Sequence, residues 1–504
     1  MRRAALATFL GLSLAATTLA VATQAQAAPN NPVLADLVTL KNVRHHQNNL
    51  QKISDANGGN RAAGLPGNVI TVKYLADQLK RAGYSPTVQE FEFDFWQEVS
   101  EPAFAQTAPG QKTFTPGTDF LTLQYSGKGD VTAAASPVDP GATGLGSGCE
   151  ADDFTGFTKG NIALIQRGGC FFSVKADNAI AAGASAVVIY QLPGTPGPVA
   201  GTLGKPYGIP VVGPTNDVGK ALVEQAQNGG VTLNVKTDTF TQKRTAANVI
   251  ADTKRGNPDN VVVVGGHNDS VLEGPGINDN GSGIAALLEM AKQINKLKGK
   301  QLRNKVRFAF WGAEEEGLLG SQYYVDNLPE AERNKIALNL NFDMIGSPNF
   351  VRFVYDGDNS TGGSTVPPPA GSGAIEKAFH DHFASKKLAS DQSAFNGRSD
   401  YNAFITVGIP AGGLFTGAEG IKTAEQAKVY GGTAGEAYDP CYHSECDTYG
   451  NVDLKGYDQM IDAAAAVTQG FALSTLTVNG NEFARRQAPA KRALPDHLGH
   501  YATR

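Results

Sequence analysis

Cysteine, histidine and long hydrophobic runs are all scarce in this chain of 504 residues. It contains four cysteines and eight histidines, and its formal net charge is -5. The lack of a basic excess argues against a surface dedicated to nucleic acid. Beyond the N-terminal region, no stretch approaches the ~18 apolar residues that a membrane-spanning helix needs. With 41% hydrophobic and 18% charged residues, the composition fits a globular protein of two or three domains.

The N-terminus has the pattern of a secretory signal peptide. Arg2 and Arg3 supply the charged region, residues 4–21 are apolar, and residues 25–27 (Ala-Gln-Ala) match the small-x-small cleavage pattern. We therefore predict a signal peptide at residues 1–27 and a secreted, extracellular protein that does not bind membranes after cleavage. Because the apolar run is long for a signal peptide, a retained membrane anchor is the alternative.

The four cysteines form two pairs that are close in sequence. In an exported chain an even number of cysteines favours disulfides, here Cys149–Cys170 and Cys441–Cys446. Zinc ligation by cysteine pairs is the rival interpretation. The spacings do not match the usual zinc-ribbon patterns, so disulfides are the prediction.

Strand-like and helix-like patterns alternate in two parts of the chain, residues 28–100 and 241–476. The segment 284–294, for example, has apolar residues at helical spacing. Residues 101–240 differ, because they are rich in turn-forming residues, contain short β-like runs and lack histidine. We interpret them as a β-rich module inserted into an α/β domain. Residues 477–504 lack periodicity, which predicts a flexible or processed tail.

The sequence VVVVGGHNDSVLEGPGINDNGSG at residues 261–283 carries the first candidate site residues. Four valines predict a buried strand that runs into His267 and Asp269, and Asp279 follows in a Gly-rich loop before a helix. In open α/β sheets, ligands bind beyond the carboxyl ends of the strands. Imidazole and carboxylate are groups that hold catalytic zinc. The alternative is an ordinary strand–turn–helix connection in which Asp279 caps the helix.

Two further predicted strands end in acidic residues. The sequence VRFAFWGAEEEG places Glu314, Glu315 and Glu316 beyond one strand, and IALNLNFDMIG places Asp343 at the end of another. Carboxylates gathered at one sheet edge repel one another unless they are protonated or bind cations. Taken alone, three successive glutamates would also be typical of a solvated helix start.

A loop histidine completes this set. Among the eight histidines only His267 and His443 lie in loops of this kind, and His443 is enclosed by two cysteines in CYHSEC. A pair of zinc ions with one bridging carboxylate suits five ligands. The predicted ligands are His267, Asp279, Glu315, Asp343 and His443. Glu314 would remain beside the metals as the general base.

These segments resemble peptidase family M28, in particular its compact secreted bacterial leucine aminopeptidases. The matching stretches are GGHNDSVLEGPGINDNGSG, WGAEEEGLLGS, LNFDMIGSPN, GRSDYNAF, GGLFTGAEGIKT and YDPCYHSECDTYGN, which cover most of residues 247–476 in the expected order. The resemblance implies a zinc-exopeptidase fold, an α/β architecture with a mixed, mostly parallel sheet flanked by helices.

The resemblance also divides the predicted ligands between two Zn²⁺ ions per chain. It implies that His267 and Asp343 bind one zinc ion and that Glu315 and His443 bind the other. Asp279 would bridge the two ions.

Four further residues gain roles from the resemblance. Glu314 matches the base that shuttles the proton, and Asp269 matches an acid that orients the first histidine ligand. Tyr442 resembles a residue that hydrogen-bonds the developing oxyanion, and Arg398 resembles one at the mouth of the pocket. The alternatives are an exposed Tyr442 and a structural ion pair between Arg398 and Asp400.

The inserted region, residues 101–240, resembles a protease-associated (PA) domain. The resemblance rests on IALIQRGGCFFSVKADNAIAAGASAVVIYQ and on the strand in IPVVGPT. Such inserts occur in larger M28 peptidases, where they are thought to influence substrate access.

The function that the resemblance implies is hydrolysis of N-terminal residues, large and leucine-like, from peptides by a secreted monomer. Peptide or protein N-termini are the expected partners, and nucleic acid is not. One alternative is a carboxypeptidase of the same fold, which would need basic groups to hold a substrate carboxylate. The others are a glutaminyl-cyclase-like enzyme with one zinc ion and a catalytically dead PA-type binding protein.

Overall fold

The structure of the protein, a computed structural model, describes residues 33–139, 146–297 and 302–480. The predicted signal peptide at residues 1–27 lies outside these ranges. So does most of the predicted tail, from residue 481 onward. In the described ranges, no helix combines the length and the apolar character that crossing a bilayer requires.

One sheet of fourteen strands runs through the described residues. Its strands are β1 Thr87–Ala108, β2 Lys112–Phe114, β3 Phe120–Thr122, β4 Gly129–Pro137, β5 Ile162–Gln166, β6 Ala186–Tyr190, β7 Val211–Pro214, β8 Thr232–Asp252, β9 Asn257–His267, β10 Asn304–Trp311, β11 Ile336–Phe342, β12 Phe353–Tyr355, β13 Asp391–Ser393 and β14 Ala411–Phe415.

Helices cover this sheet on both faces. They are α1 Leu34–Leu37, α2 Leu40–Asp55, α3 Pro66–Arg81, α4 Phe172–Ala181, α5 Asn216–Asn228, α6 Gly281–Ile294, α7 Leu319–Asp326, α8 Glu330–Arg333, α9 Ser372–Ser385, α10 Tyr401–Thr406, α11 Ala424–Tyr430, α12 Leu454–Leu473 and α13 Leu476–Asn479. A short 3₁₀ turn at Ala151–Phe154 lies in the inserted region.

The host part of the sheet is mixed and mostly parallel, as predicted. Its strand order is β13-β12-β14-β11-β9-β10-β8. Strands β10, β9, β11 and β14 run parallel, whereas β8 pairs antiparallel with β10 and β12 pairs antiparallel with β14. Parallel neighbours need long crossover connections, and helices such as α6 provide them. The carboxyl ends of three central strands therefore meet at one edge.

The central strands are buried on both faces, which explains their continuous apolar sequences. All seven residues of β11 are buried, and so are the four valines of β9. Alternate side chains of these strands pack against α2, α3, α6, α9 and α12 on one face. On the other face they pack against α7 and α10. This double cover holds the strand ends in fixed positions.

Two long strands join the inserted region to the host. Strands β1 and β8 pair antiparallel from Thr87 opposite Ile250 to Ala108 opposite Thr232. The predicted limits at residues 100/101 and 240/241 fall inside these strands, so the insert continues the host sheet through β4, β5, β6, β7 and β3. Helices α5 and α4 cover its two faces. The domain limits themselves stay predictions.

Candidate metal centre

His267 is the last residue of β9, and close packing explains the two glycines before it. Strand β9 lies between β10 and β11. A Cβ atom at Gly266 would lie only 2.7 Å from the carbonyl oxygen of Phe342. Any side chain there would push the neighbouring strand away. His267 is only 1% exposed, so its ring is fixed at the carboxyl edge of the sheet.

Asp279 lies between two imidazoles that are far apart in sequence. Its Oδ1 atom is 3.1 Å from Nε2 of His267, and its Oδ2 atom is 3.3 Å from Nε2 of His443. The next residue, Asn280, fixes this loop because its side chain accepts from Gly283 N and donates to Phe342 O. The two carboxylate oxygens of Asp279 thus face different histidines.

Each histidine also faces a second carboxylate. Nε2 of His267 is 3.3 Å from Oδ1 of Asp343, and Nε2 of His443 is 3.0 Å from Oε2 of Glu315. Ser399 donates a hydrogen bond to the other Asp343 oxygen at 2.6 Å. The structure therefore brings all five predicted ligands together.

Glu314 and Asp269 lie next to these five residues. Oε2 of Glu314 is 3.9 Å from Nε2 of His267, and the Glu314 side chain is 9% exposed. Asp269 lies on the other side of the imidazole, with Oδ1 3.6 Å from Nδ1 of His267. Asp269 also accepts the backbone N–H groups of Glu314 and Glu315, each at 3.2 Å. One buried carboxylate thus positions both the histidine and the adjacent glutamates.

The surrounding carboxylates favour positive charge on both imidazoles. Burial lowers the pKa of His267, but Asp343 and Glu314 outweigh this effect, so the pKa lies well above its usual value. Burial also lowers the pKa of His443, but Glu315 and Asp279 outweigh this effect and raise it to about 10. The centre therefore carries a strongly negative potential that cations relieve.

The pKa values of the acids in the centre shift in opposite directions. Burial raises the pKa of Asp279, but hydrogen bonds with His267 and His443 prevail and hold it below its usual range. Burial raises the pKa of Glu314 well above its usual value, and it raises the pKa of Glu315 as well. Asp279 is thus the carboxylate most strongly held in its charged form.

The donor set fits divalent cations. The ligand atoms of His267, Asp279 and Glu315 lie within 4.8 Å of one another, and so do those of His267, Glu314 and Asp343. Oε1 of Glu315 and Oδ1 of Asp343 are buried without hydrogen-bond partners. Carboxylate and imidazole are the ligand types of zinc sites. Cations here would satisfy the unpartnered oxygens and neutralise the clustered charge.

Both predicted disulfides are present in the structure. Cys441 and Cys446 enclose His443 in a short loop, and Cys149 and Cys170 are joined within the insert. His443 has a positive φ of 53°, a backbone conformation that is uncommon for a residue with a side chain. The short closed loop keeps its ring directed toward Asp279.

Tyr442 and Arg398 lie side by side at the centre. The Tyr442 ring stacks on the His443 ring at 3.8 Å between centroids, and Arg398 Nη2 is 3.3 Å from the Tyr442 hydroxyl. The ion pair of Arg398 is with Glu419, at 2.5 Å, rather than with Asp400. Tyr442 is partly buried. Burial raises its pKa well above the usual value, so the phenol stays protonated.

A cavity of about 260 Å³ opens beside the predicted ligands. Part of its wall is aromatic and apolar, and the remainder carries the site carboxylates, Arg398 and Tyr442. The aromatic and apolar residues are Met344, Phe353, Tyr355, Tyr401, Phe415, Ala418 and Tyr438. A pocket with one apolar wall and a few convergent polar groups is typical of a substrate site.

Sequence reasoning missed two residues that support the ligand loops. Asp447 accepts the N–H groups of Asn278, at 2.8 Å, and Asp279, at 3.0 Å. Arg61 is fully buried and donates to three backbone carbonyls, those of Pro275, Asn268 and Gly276. The one available signal was a lone arginine in the otherwise uncharged loop GGNRAAGLPG.

Replacing Arg61 by leucine should unfold these loops. Three buried carbonyls would lose their donor, and each unsatisfied buried group costs about 1–3 kcal/mol. We expect the free energy of unfolding to fall by roughly 3 kcal/mol or more, measured by urea denaturation. Arg81→Leu, at an exposed position of α3, is the matched control and should change stability by less than about 0.5 kcal/mol. Equal stability of the two variants would contradict this role for Arg61.

The fold and the centre together define a class of protein. Strand ends that gather imidazoles and carboxylates beside a substrate-sized pocket are the architecture of a metallohydrolase. Residues 248–468 match the model of peptidase family M28, and residues 131–222 match the model of the PA domain.

Several proteins that are similar to this chain belong to this class. An aminopeptidase of Pseudomonas aeruginosa (strain UCBPP-PA14) is 47% identical over 90% of this chain and 84% of its own length. A leucine aminopeptidase 2 of Trichophyton equinum is 41% identical over 83% of this chain and 81% of its own. The structure of an aminopeptidase from Aneurinibacillus sp. strain AM-1 is 29% identical, with a TM-score of 0.67 over 86% of this chain and 94% of that one.

A zinc aminopeptidase of known structure from Bacillus subtilis, BSAP, is also similar, at 27% identity and a TM-score of 0.55 over 85% of this chain and 94% of that one. The chain belongs to peptidase family M28, with a PA domain inserted in the peptidase domain. The predicted enzyme class, a metallo-aminopeptidase, is thereby confirmed.

Proposed function

We propose that the protein is a secreted, monomeric aminopeptidase that uses two zinc ions to remove leucine-like residues from the N-termini of peptides and proteins. The observation that carries this proposal is the position of Asp279, whose two oxygens face His267 and His443 separately. Such a carboxylate suits a bridge between two metals. The similar Bacillus subtilis protein BSAP is a zinc aminopeptidase, which supports zinc as the metal.

The proposed ligands divide into two sets around the bridge formed by Asp279. His267 and Asp343 would hold one zinc ion, and Glu315 and His443 the other. When bound, zinc supplies a Lewis acid that polarises the scissile carbonyl and makes hydroxide available near neutral pH.

Glu314 is the proposed general base. It lines the cavity, so its carboxylate can reach a water beside the scissile bond. It would take one proton from that water and later give it to the leaving amine. Asp269 supports this role because it holds the Glu314 backbone N–H.

Tyr442 and Arg398 are proposed to serve the carbonyl side of the reaction. The protonated hydroxyl of Tyr442 would donate a hydrogen bond to the developing oxyanion. Arg398 donates to the same Tyr442 oxygen, which leaves the phenolic hydrogen for the substrate. Arg398 would thus act as a positioning residue at the mouth of the pocket.

The cavity supports cleavage at the amino end of a substrate. The free α-amine of the substrate would lie near Glu314 and Asp343, and its side chain would lie against the aromatic wall. A carboxypeptidase would instead need unpaired cations for a substrate carboxylate. Among the lining residues Arg398 is the one arginine or lysine, and Glu419 already neutralises it.

A panel of aminoacyl anilides tests the proposal. Leucine should be released about 10- to 100-fold faster than glycine, because burying an apolar side chain of this size contributes about 1.5–3 kcal/mol. The ratio of kcat/KM values measures this effect. Phe415→Ala should reduce the ratio, whereas Phe240→Ala, at an exposed position, should preserve it. N-acetyl-leucyl anilide should remain intact, and release of a C-terminal residue from an N-blocked peptide would point to the carboxypeptidase instead.

A further inference from the structure

A second cavity adjoins the metal centre, between the host domain and the PA insert. Its volume is about 360 Å³, within the range of ligand pockets. Glu315, a proposed zinc ligand, lines both this cavity and the substrate pocket described above. We call the second space the leaving-side cavity. Its lining also includes Trp96, Glu98, Thr122, Leu272, Glu273 and Glu316.

Three elements build the walls of the leaving-side cavity. Trp96 and Glu98 lie on β1, the long strand that carries the sheet into the insert. Thr122 ends β3 of the insert. Leu272 and Glu273 belong to the loop that follows the zinc-ligand strand β9. The space thus exists only because the insert is held against the catalytic loops.

The leaving-side cavity is acidic. Besides Glu315 it is lined by Glu98, Glu273 and Glu316, and none of its lining residues is lysine, arginine or histidine. Arg244 interacts electrostatically with Glu316, which partly balances that carboxylate. Glu98 and Glu273 remain as the main sources of negative charge for a bound ligand.

Glu98 has further features of a recognition residue. Its Oε1 atom is buried without a hydrogen bond of good geometry, and the nearby Thr122 side chain offsets only part of the effect of burial on the carboxyl. The pairing of β1 with β8 shifts its register immediately after Glu98, and such bulges redirect side chains near functional sites. Burial also raises the pKa of the Glu98 carboxyl, because it disfavours the charged form. A cationic ligand would favour that charged form again.

We propose that the leaving-side cavity binds the residues that follow the scissile bond and favours lysine or arginine at these positions. This inference rests on the proposed aminopeptidase function. The N-terminal residue occupies the first pocket, so the rest of the peptide passes the other face of Glu315. An ammonium or guanidinium group at the second or third position of the peptide then lies between Glu98 and Glu273. Selectivity for the leaving peptide comes from the insert as well as from the host domain.

The test uses amidated tripeptides that share an N-terminal leucine and carry lysine, glutamine or glutamate at the second or third position. For the wild-type enzyme we expect kcat/KM to be about fivefold higher with lysine than with glutamine, and lowest with glutamate. In the variants Glu98→Gln and Glu273→Gln, the ratio of kcat/KM for the lysine peptide to that for the glutamine peptide should fall toward one. Because both peptides are measured on one preparation, the ratio does not depend on the folded fraction.

Glu101→Gln supplies the matched control, since Glu101 lies on the same strand at an exposed position outside the cavity. It should keep the wild-type ratio. Equal wild-type kcat/KM values for lysine, glutamine and glutamate at both positions would overturn the inference while leaving the aminopeptidase proposal standing. A lysine preference that survives in both cavity variants would do the same. Failure to release leucine from any peptide would overturn both proposals.

Discussion

Replacing Glu314 by glutamine should reduce kcat for leucyl anilide by about 10³-fold or more, near the upper part of the range for general acid–base groups. Glutamine keeps the size of the side chain but cannot accept and return the proton. A base works best when its pKa is near the operating pH. Burial moves the Glu314 pKa upward, and cations bound nearby would move it down again. Steady-state kinetics with zinc-saturated protein measure the effect.

The same Glu314→Gln variant should keep its metal, because Glu314 is proposed as a base rather than a ligand. Zinc content by atomic absorption should therefore equal that of the wild type. Glu330→Gln on the exposed helix α8 is the control and should retain full kcat. A kcat within tenfold of wild type, or a loss of zinc that accounts for the lower rate, would contradict the assignment.

Removing the metal should abolish the activity. After treatment with a chelator we expect leucyl anilide turnover to fall below detection and to return when zinc is added, with two ions bound per chain. Chelation should also lower Tm, because a ligand that binds only the native state stabilises it. In the metal-free centre, the clustered carboxylates repel one another unless they are protonated. Binding of a single zinc ion per chain at full activity would rule out the dinuclear site.

Asp279→Asn locates this metal requirement in the chain. Asp279 is the carboxylate that faces both His267 and His443, so removing its charge should lower the zinc content below two ions and reduce kcat/KM by about 100-fold or more. Asp259→Asn, at an exposed aspartate, should change neither quantity. A fully active Asp279→Asn enzyme with two zinc ions would show that the ions bind elsewhere.

The host fold was accessible to sequence analysis because its signals are local. Four consecutive valines predict the buried strand β9, and the helix predicted at residues 284–294 is α6 from Gly281. The strand predicted before Asp343 is β11, Ile336–Phe342. By contrast, β1 continues past the predicted limit at residue 100 to Ala108, because its pairing with β8 carries the strand into the insert.

The candidate centre was accessible for a related reason. Parallel strands bring their carboxyl ends to one edge, so His267 and the acids after β10 and β11 could be placed together in advance. The supporting residues could not be found in this way. Arg61 acts through backbone carbonyls that have no sequence signature, and the Arg398 ion pair is with Glu419, not with the nearby Asp400.

The sequence by itself determined the elements, the chemical type of each site residue and the family, because these depend on short periodic patterns and motifs. Tertiary structure alone decided which Asp279 oxygen faces which histidine, how the insert is held, and that Glu98, Glu273 and Glu315 line one cavity. These features arise where distant segments approach each other. Their geometry is set by the packing of the whole sheet and by the pairing of β1 with β8, which no local pattern encodes.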